Sequence, residues 1–182
     1  MRLDRLTVKS RDALATAETL ARRHGHQEVA SLHLLAALLE QDDGLTTPLL
    51  EKAGIDVRLL RSDLEQALQA RPRVDGGDTY ISTDLKEVLD DAFDQADRLK
   101  DDYVSTEHFL LAMVERGGGA AGKLLGGRGV SVELLQSALL DVRGNQRVTD
   151  PDPEGKYDAL KRYCQDLTEM ARKGKLDPVI GR

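Results

Sequence analysis

The sequence predicts an all-α fold in which a four-helix unit occurs twice with pseudo-twofold symmetry. Aromatic residues make up only 3% of the 182 residues and tryptophan is absent, so leucine and alanine must build the core, which favours helix over sheet. Thr7–Leu64 aligns with Ser82–Leu139 at a constant offset of 75 residues, with 18 identities in 58 positions. Neither copy shows the alternation of apolar and polar residues that is typical of a strand.

The first unit is predicted to contain four helices whose ends coincide with capping and turn residues. Thr7 suits the N-cap of the first helix because its hydroxyl can accept a hydrogen bond from a first-turn amide. Pro48 suits the first position of the third helix, and Gly54 suits the left-handed residue that ends it. Apolar residues recur at helical spacing within these bounds, which are about Thr7–Ala21, Ser31–Glu40, Pro48–Ala53 and Asp56–Ala70.

The second unit repeats this plan. Ser105 and Ser131 are predicted N-caps of its second and fourth helices. Its predicted helices run from Ser82 or Thr83 to about Leu99, from Ser105 to about Glu115, through a short helix ending near Gly127 to Gly129, and from Ser131 to about Val142.

Composition divides the chain into five segments. Residues 1–71 and 81–142 are the two repeats, and residues 72–80, with a proline, paired glycines and charges, connect them. Residues 143–155 are polar, with two prolines and two glycines, and are predicted to form a flexible linker. Residues 156–182 contain one further helix whose apolar stripe has no partner, which suggests a truncated second domain. Because a single repeat is too small to bury a sufficient core, the two should pack together with a groove at their seam.

The charge and the single thiol limit the classes of function. With 26 basic and 32 acidic residues the net charge is −6, which disfavours a nucleic-acid binder and a protein that binds anionic membranes. Cys164 is the only cysteine, so neither an internal disulfide nor a Cys-based zinc site is expected. No apolar run has transmembrane length, and the charged start lacks the apolar core of a secretory signal, so we expect a cytoplasmic protein.

The segment Gly117–Lys123 has the spacing G-x-x-x-x-G-K of a phosphate-binding loop. Leu124 follows where such a loop needs Ser or Thr to bind Mg²⁺, and the segment comes after a predicted helix instead of a strand. It aligns with an ordinary interhelical loop, Asp42–Pro48, of the first repeat. We therefore expect no nucleotide site here and no catalytic residues in this fragment, which argues against a stand-alone nucleotide hydrolase.

Histidines occupy equivalent positions in the two repeats, at His33 and His108. Metal binding there, or at His24 and His26, would require convergent ligands. A symmetric pair of structural histidines explains the pattern more simply, so we expect no metal.

Several stretches of the sequence, together with the duplicated unit, resemble a known family. Thr106–Leu111, which reads Thr-Glu-His-Phe-Leu-Leu, and the duplicated four-helix unit resemble the N-terminal domain that ClpA, ClpB and ClpC of the Clp family of AAA+ chaperones share. Tyr157–Thr168 and the closing Leu176–Arg182, which reads LDPVIGR, resemble the entry to the first nucleotide-binding domain of ClpB-type disaggregases, as Met1–Thr7 resembles their start. The resemblance covers essentially the whole chain. Cys164 departs from it, since the family more often has a small or polar residue there.

This resemblance implies a function that depends on the rest of a longer protein. ClpB-type proteins are homohexamers that use ATP and Mg to thread polypeptides through a central pore, together with the DnaK chaperone system, and their N domain helps to capture unfolded or aggregated polypeptides. Val179 and Ile180 would lie near the adenine pocket of the full-length protein. Because the Walker motifs would follow Arg182, we expect the fragment to be a monomer without a cofactor or ATPase activity. The alternative is an N domain that docks an adaptor or degron, as in ClpA and ClpC.

The resemblance also suggests six substrate-binding residues, which are Thr7, Leu14, Leu89, Asp101, Glu107 and Leu110. Each has a plainer interpretation. Thr7 could serve only as a helix cap, Glu107 as a first-turn acid favoured by the helix dipole, and Asp101 as a solvated charge. The three leucines could be core residues of amphipathic helices.

Overall fold

The structure is a computed structural model that describes residues 3–74, 76–144 and 146–153. This part of the chain contains eight α-helices, preceded by a 3-10 turn at Leu3–Arg5. The first repeat contributes α1 (Val8–His24), α2 (Ser31–Glu40), α3 (Thr46–Lys52) and α4 (Val57–Gln69). The second contributes α5 (Thr83–Arg98), α6 (Thr106–Arg116), α7 (Ala120–Gly127) and α8 (Val132–Arg143). The predicted all-α fold is thus confirmed.

The helix starts confirm the predicted duplication, because α1 and α5, α2 and α6, and α4 and α8 each begin 75 residues apart. Equivalent hydroxyls cap equivalent helices. The Thr7 hydroxyl accepts from the Ser10 amide at 3.2 Å, and the Ser82 hydroxyl accepts from the Leu85 amide at 3.1 Å. A buried cap of this kind stabilises a helix start by about 1 kcal/mol.

Two helix ends differ from those predicted. Helix α1 continues to His24, where Gly25 ends it with a left-handed φ of +72°. Helix α3 begins at Thr46, so Pro48 is its third residue instead of its first. Proline is tolerated there because the amides of the first turn have no partner within the helix.

A short parallel sheet departs from the prediction that strands are absent. Strand β1 (Glu28–Val29) pairs with β2 (Tyr80–Ile81), and its counterpart in the other repeat is the single bridge between Leu6 and Val104. In each case the residues that precede one repeat's first helix pair with the loop after the other repeat's first helix. Two residues are too few to produce a recognisable alternation, which is why the sequence did not reveal them.

The two repeats share one core. Every residue of α2 except Glu40 is buried, as are eight residues of α6, so these central helices are covered on almost all sides. The buried side chains of both repeats form one cluster, in which α2 and α4 pack against α7, and α3 packs against α8.

Part of the predicted linker lies against both repeats. The Val148 carbonyl accepts hydrogen bonds from the Asp102 and Tyr103 amides at 2.9 and 3.2 Å, and the Pro151 carbonyl accepts from the Val8 amide at 2.8 Å. The Val148 side chain is fully buried. These main-chain contacts are not indicated by the polar composition of the segment. The predicted tail helix, Cys164, Val179 and Ile180 lie outside the described residues.

Candidate functional site

A groove of about 410 Å³ opens at the seam between the two repeats. Helix α1 forms one side, and the two strands and the start of α5 form the rest. The lining residues are Arg11, Leu14, Ala15, Glu18, Val29, Thr79, Tyr80, Ile81 and Leu85.

The groove is predominantly apolar. Val29 and Leu85 are buried, and Leu14 is half-buried against the core. Tyr80 and Ile81 remain 54% and 50% exposed, although both side chains are large and apolar. Neighbouring exposed apolar side chains in a concave surface mark a binding site for an apolar partner.

The rim of the groove carries carboxylates that already have hydrogen-bond partners and an arginine that forms no ion pair with the described residues. The Glu18 carboxylate accepts from Arg22 at 2.5 Å and from the Thr79 hydroxyl at 3.1 Å. The Tyr80 hydroxyl donates to Glu28 at 3.2 Å. Arg11 is exposed and has no ion pair within the described part of the chain, so it leaves a positive charge beside the apolar surface.

The pseudo-equivalent position in the second repeat is closed. Leu6 and Leu89 correspond to Ile81 and Leu14, and they are only 0% and 3% exposed. Arg5 corresponds to Tyr80; its guanidinium lies over the Phe93 ring, 5.7 Å from the centroid, and donates to Asp97 at 2.8 Å. The duplicated fold therefore leaves an accessible groove on one side and fills the same place on the other.

Of the six predicted substrate-binding residues, only Leu14 lines the groove. Thr7 is fully buried and serves as the N-cap of α1. Leu89 and Leu110 are 3% and 1% exposed and belong to the shared core. None of these three is accessible to a peptide in this conformation, because helix packing covers them.

Asp101 and Glu107 lie in a buried ion cluster with His108 and Arg143. The two arginine Nη atoms lie 2.8 Å from Asp101 and 3.0 Å from Glu107, while His108 Nε2 lies 3.0 Å from Asp101. The second carboxylate oxygen of Asp101 accepts from the Val148 amide at 2.8 Å. Burial raises the pKa of Asp101, but the hydrogen bonds from His108, Val148 and Arg143 outweigh it and hold that pKa below its ordinary value. Asp101 is thus a buried, paired carboxylate and not the solvated charge considered from the sequence.

The first repeat holds a histidine pair where the second holds Asp101 and His108. His26 Nδ1 lies 2.9 Å from His33 Nε2, and the Ala30 amide donates to His33 Nδ1 at 2.9 Å. The Ser105 amide donates to His108 Nδ1 at the same distance of 2.9 Å. Both repeat-equivalent histidines therefore brace the start of a central helix, as a structural interpretation predicts.

A second seam cavity, of about 470 Å³, has five charged residues among its ten lining residues, and four of the five pair with each other. Arg71 lies 3.0 Å from Glu28, and Arg116 lies 2.7 Å from Glu87 and 2.8 Å from Asp91. The satisfied ion pairs give this cavity less capacity than the groove to bind an apolar segment.

The glycine-rich segment Gly117–Lys123 runs into the start of α7, beside this second cavity. The Ala121 amide donates to the Ser31 hydroxyl at 3.1 Å, and that hydroxyl is bonded to the Asp84 carboxylate. A phosphate at this helix start would meet a carboxylate, so the geometry is not that of a phosphate-binding loop.

The described residues also bear on metal sites and membrane spans. Within residues 3–74, 76–144 and 146–153, no group of three or more His, Cys, Asp or Glu side chains is arranged to hold a metal ion. None of the helices described here combines the length and apolarity that a membrane span requires.

Sequence reasoning missed the main groove residues. Thr79, Tyr80 and Ile81 fall in or next to the predicted connector, where their apolar character is brief. A signal was nevertheless present, because the 75-residue offset aligns Ile81 with Leu6 just before the first helix. Arg143, the cation of the buried cluster, was not predicted either, because it lies where the last predicted helix meets a polar segment.

Comparison with known proteins gives consistent results. The family described as "Clp repeat (R) N-terminal domain" matches residues 5–128. The chaperone protein ClpB of Bacillus cereus is 41% identical over 187 residues, which cover all of this chain and 22% of that protein. The chain thus spans about a fifth of the length of the curated relatives it matches.

Solved structures share the fold. The N-terminal domain of Hsp104 from Candida albicans superposes with a TM-score of 0.72 at 23% identity, covering 82% of this chain and 98% of that one. A ClpV N-domain in complex with a VipB peptide superposes with a TM-score of 0.65 at 23% identity, covering 81% and 92%.

Proposed function

The chain belongs to the Clp repeat N-terminal domain family, as a ClpB-type member, and on that premise we propose that its groove binds apolar segments of unfolded or aggregated polypeptides. Such segments expose the side chains that a folded protein buries. A shallow apolar groove with charged residues at its rim can bind them weakly and with little sequence preference.

The observation that carries this proposal is the exposure of Tyr80 and Ile81 beside Leu14. Their pseudo-equivalents Arg5 and Leu6 occupy a closed position, so the open groove is not an unavoidable result of the duplicated fold. The ClpV N-domain complex named above shows that another protein of this fold binds a peptide, and it supports a peptide as the ligand class here.

In the longer protein, this domain would deliver captured segments to an ATPase ring. The proposal includes a homohexamer that uses ATP and Mg, cooperation with the DnaK system, and Val179 and Ile180 near the bound adenine. Tethering the groove near the mouth of a pore would raise the local concentration of substrate, which compensates for weak binding at any single groove.

Thr7, Asp101 and Glu107 are proposed to act indirectly. Thr7 fixes the start of α1, which carries Leu14. Asp101, which shares Arg143 with Glu107, accepts from the Val148 amide, and three residues further on the Pro151 carbonyl accepts from the Val8 amide at that start. Changes at these residues would alter binding by disturbing α1, without loss of a direct contact to the peptide.

A charge in the groove tests the proposal. We expect Ile81→Glu to weaken binding of a fluorescently labelled, unstructured apolar peptide at least tenfold, a loss of about 1.4 kcal/mol, because the peptide would have to desolvate a carboxylate. Fluorescence anisotropy of the 182-residue chain measures the affinity, and circular dichroism checks that the variant is folded.

Leu59→Glu is the matched control, because Leu59 is 49% exposed, close to the 50% of Ile81, and lies outside the groove on α4. Its affinity should stay within about twofold of the parent chain. Equal losses in the two variants, or no measurable peptide binding by the parent, would contradict the proposal. Tight, selective binding of one folded partner in place of unstructured peptides would favour the adaptor-docking alternative.

A further inference from the structure

The strand β2 has one edge that no other strand occupies in the described part of the chain. The Tyr80 amide donates to the Gln27 carbonyl at 2.8 Å, and the Ser82 amide donates to the Val29 carbonyl at 3.0 Å. Because successive residues of a strand direct their amides and carbonyls to opposite sides, the main-chain groups of Ile81 are turned away from β1. The sheet formed by the described residues contains only β1 and β2, so this edge is open.

An apolar open edge is unusual in a soluble protein. Natural proteins protect edge strands with charged side chains, proline or covering loops, because an exposed edge pairs readily with another chain. Here the edge strand consists of Tyr80 and Ile81, both at least half exposed, and both line the groove. The pseudo-equivalent Leu6 pairs with Val104 as Ile81 pairs with Val29, but unlike Ile81 it is fully buried.

From this open edge we infer that the groove binds its polypeptide as an added β-strand, which pairs with the amide and carbonyl of Ile81. The inference rests on the proposed function and specifies the conformation of the ligand. Main-chain hydrogen bonds to Ile81 would supply affinity without regard to sequence, while alternate side chains of the extended segment would contact Leu14 and the exposed side chains of β2. This mode suits a protein that must bind many unrelated unfolded chains, because every polypeptide offers the same backbone groups.

The positive charge of Arg11 at the rim should make the groove prefer peptides with an acidic residue. Arg11 is exposed on the α1 side of the groove without an ion pair in the described residues, whereas Glu18 is already bonded to Arg22 and Thr79. The extended apolar segment should therefore bind better with an acidic residue beside it than with a basic one. Exposed charges at such a rim contribute modestly, so we expect a difference of about threefold between peptides that end in Asp and in Lys.

Amide hydrogen exchange provides the first test. A saturating, apolar, unstructured peptide should slow exchange of the Ile81 amide at least tenfold. The Tyr80 amide, which is already bonded to Gln27, serves as an internal control and should change much less. Peptide binding without protection of the Ile81 amide would overturn strand addition.

A pair of N-methylated peptides provides the second test. Both peptides have one sequence in which apolar and polar residues alternate, so that only one face fits the apolar groove and the register is fixed. They carry methyl groups on alternate amides, in opposite registers, so that side chains and composition are identical. Methylation removes donors on only one edge of the peptide strand, so one peptide should bind at least tenfold more weakly than the other. Equal affinities, or a helical bound peptide in isotope-edited infrared spectra, would overturn the inference.

These outcomes separate the inference from the proposed function. If Ile81→Glu abolishes binding of the unmethylated peptide but both methylated peptides bind equally, the groove is a peptide site that does not use strand addition. If the parent chain binds no peptide at all, both ideas fail.

Discussion

Arg143→Ala is expected to destabilise the domain by about 3 to 5 kcal/mol, the range found when one partner of a buried ion pair is removed. The Arg143 side chain is 6% exposed, and the carboxylates it contacts on Asp101 and Glu107 are 0% and 1% exposed. Alanine would leave two buried carboxylates next to each other without their shared cation. Urea denaturation followed by circular dichroism measures the free energy of unfolding.

Arg147→Ala is the matched control for this experiment. Arg147 lies four residues later and also pairs with an aspartate, Asp102, at 3.2 Å, but the two side chains are 51% and 57% exposed. An exposed pair of this kind contributes about 0 to 1 kcal/mol, so its loss should be small. A loss for Arg143→Ala no larger than that for Arg147→Ala would contradict the assignment of Arg143 to a buried cluster.

The pH dependence of the Arg143→Ala variant distinguishes lost charge pairing from lost packing. Without the guanidinium, Asp101 loses one of the hydrogen bonds that hold its pKa down, so burial should raise that pKa relative to the parent chain. Acid would then protonate Asp101 in the folded variant at a higher pH than in the parent chain and should reduce the stability deficit of the variant. A deficit that is constant with pH would indicate that only packing was lost.

Local sequence signals were sufficient for the helices but not for the site. Thr7, Asp56, Ser82 and Ser131 cap helices where predicted, because capping depends on a hydroxyl or carboxylate and on amides only two or three residues away. The repeat then predicted that the two lobes are alike. The exposure of a side chain depends instead on which segments cover it, and these segments come from distant parts of the chain.

The leucines illustrate this limit. Leu14 and Leu89 occupy equivalent positions of the repeat, so both are equally good candidates for the groove when only the sequence is considered. Only the structure shows that Arg5 and Phe93 close the second position while Tyr80 and Ile81 leave the first open. The alignment could, however, have paired His26 with Asp101, since each lies seven residues before an equivalent histidine.

The histidine pair should make the first repeat acid-sensitive. Because the Ala30 amide donates to His33 Nδ1, a neutral His33 carries its proton on Nε2 and donates it to His26 Nδ1. Both Nδ1 atoms are therefore acceptors, and protonation of either breaks a hydrogen bond. Burial, followed by the nearby charges of His26, Arg71 and His24, lowers the pKa of His33 from 6.5 to about 4. Burial, His24, Arg71 and Arg73 also lower the pKa of His26.

The sign of the effect follows from the direction of these shifts. In the unfolded chain His33 takes up a proton near pH 6.5, whereas in the folded chain it does so only near pH 4. Stability from the neutral pair is therefore fully present above the unfolded pKa and decreases as the pH falls through this window. His33 alone should contribute a loss of about 2 kcal/mol by pH 5 and about 3 kcal/mol below pH 4.

Protonation of the histidine pair should also affect the groove. The pair holds both ends of the loop that carries β1, with His26 before it and Ala30 after it, and Val29 of that strand lines the groove. The Gln27 carbonyl in this loop also holds the Tyr80 amide. Acidification should therefore lower the protection factor of the Tyr80 amide, measured against the intrinsic exchange rate at each pH, and weaken peptide binding before the domain unfolds.

His26→Asp separates the histidine pair from the general effects of acid, because it gives the first repeat the Asp–His arrangement that the second repeat already has at Asp101 and His108. The aspartate can accept from His33 Nε2 and can stabilise a protonated His33, and Arg71 and Arg73 lie nearby to balance its charge. We expect the loss of stability and of peptide affinity between pH 7 and pH 5 to fall to less than about half of that in the parent chain.

His24→Gln, which removes a neighbouring imidazole but leaves the pair intact, should keep most of the acid sensitivity. If His26→Asp and the parent chain lose stability in parallel, the sensitivity arises from other groups and the histidine pair is not its source.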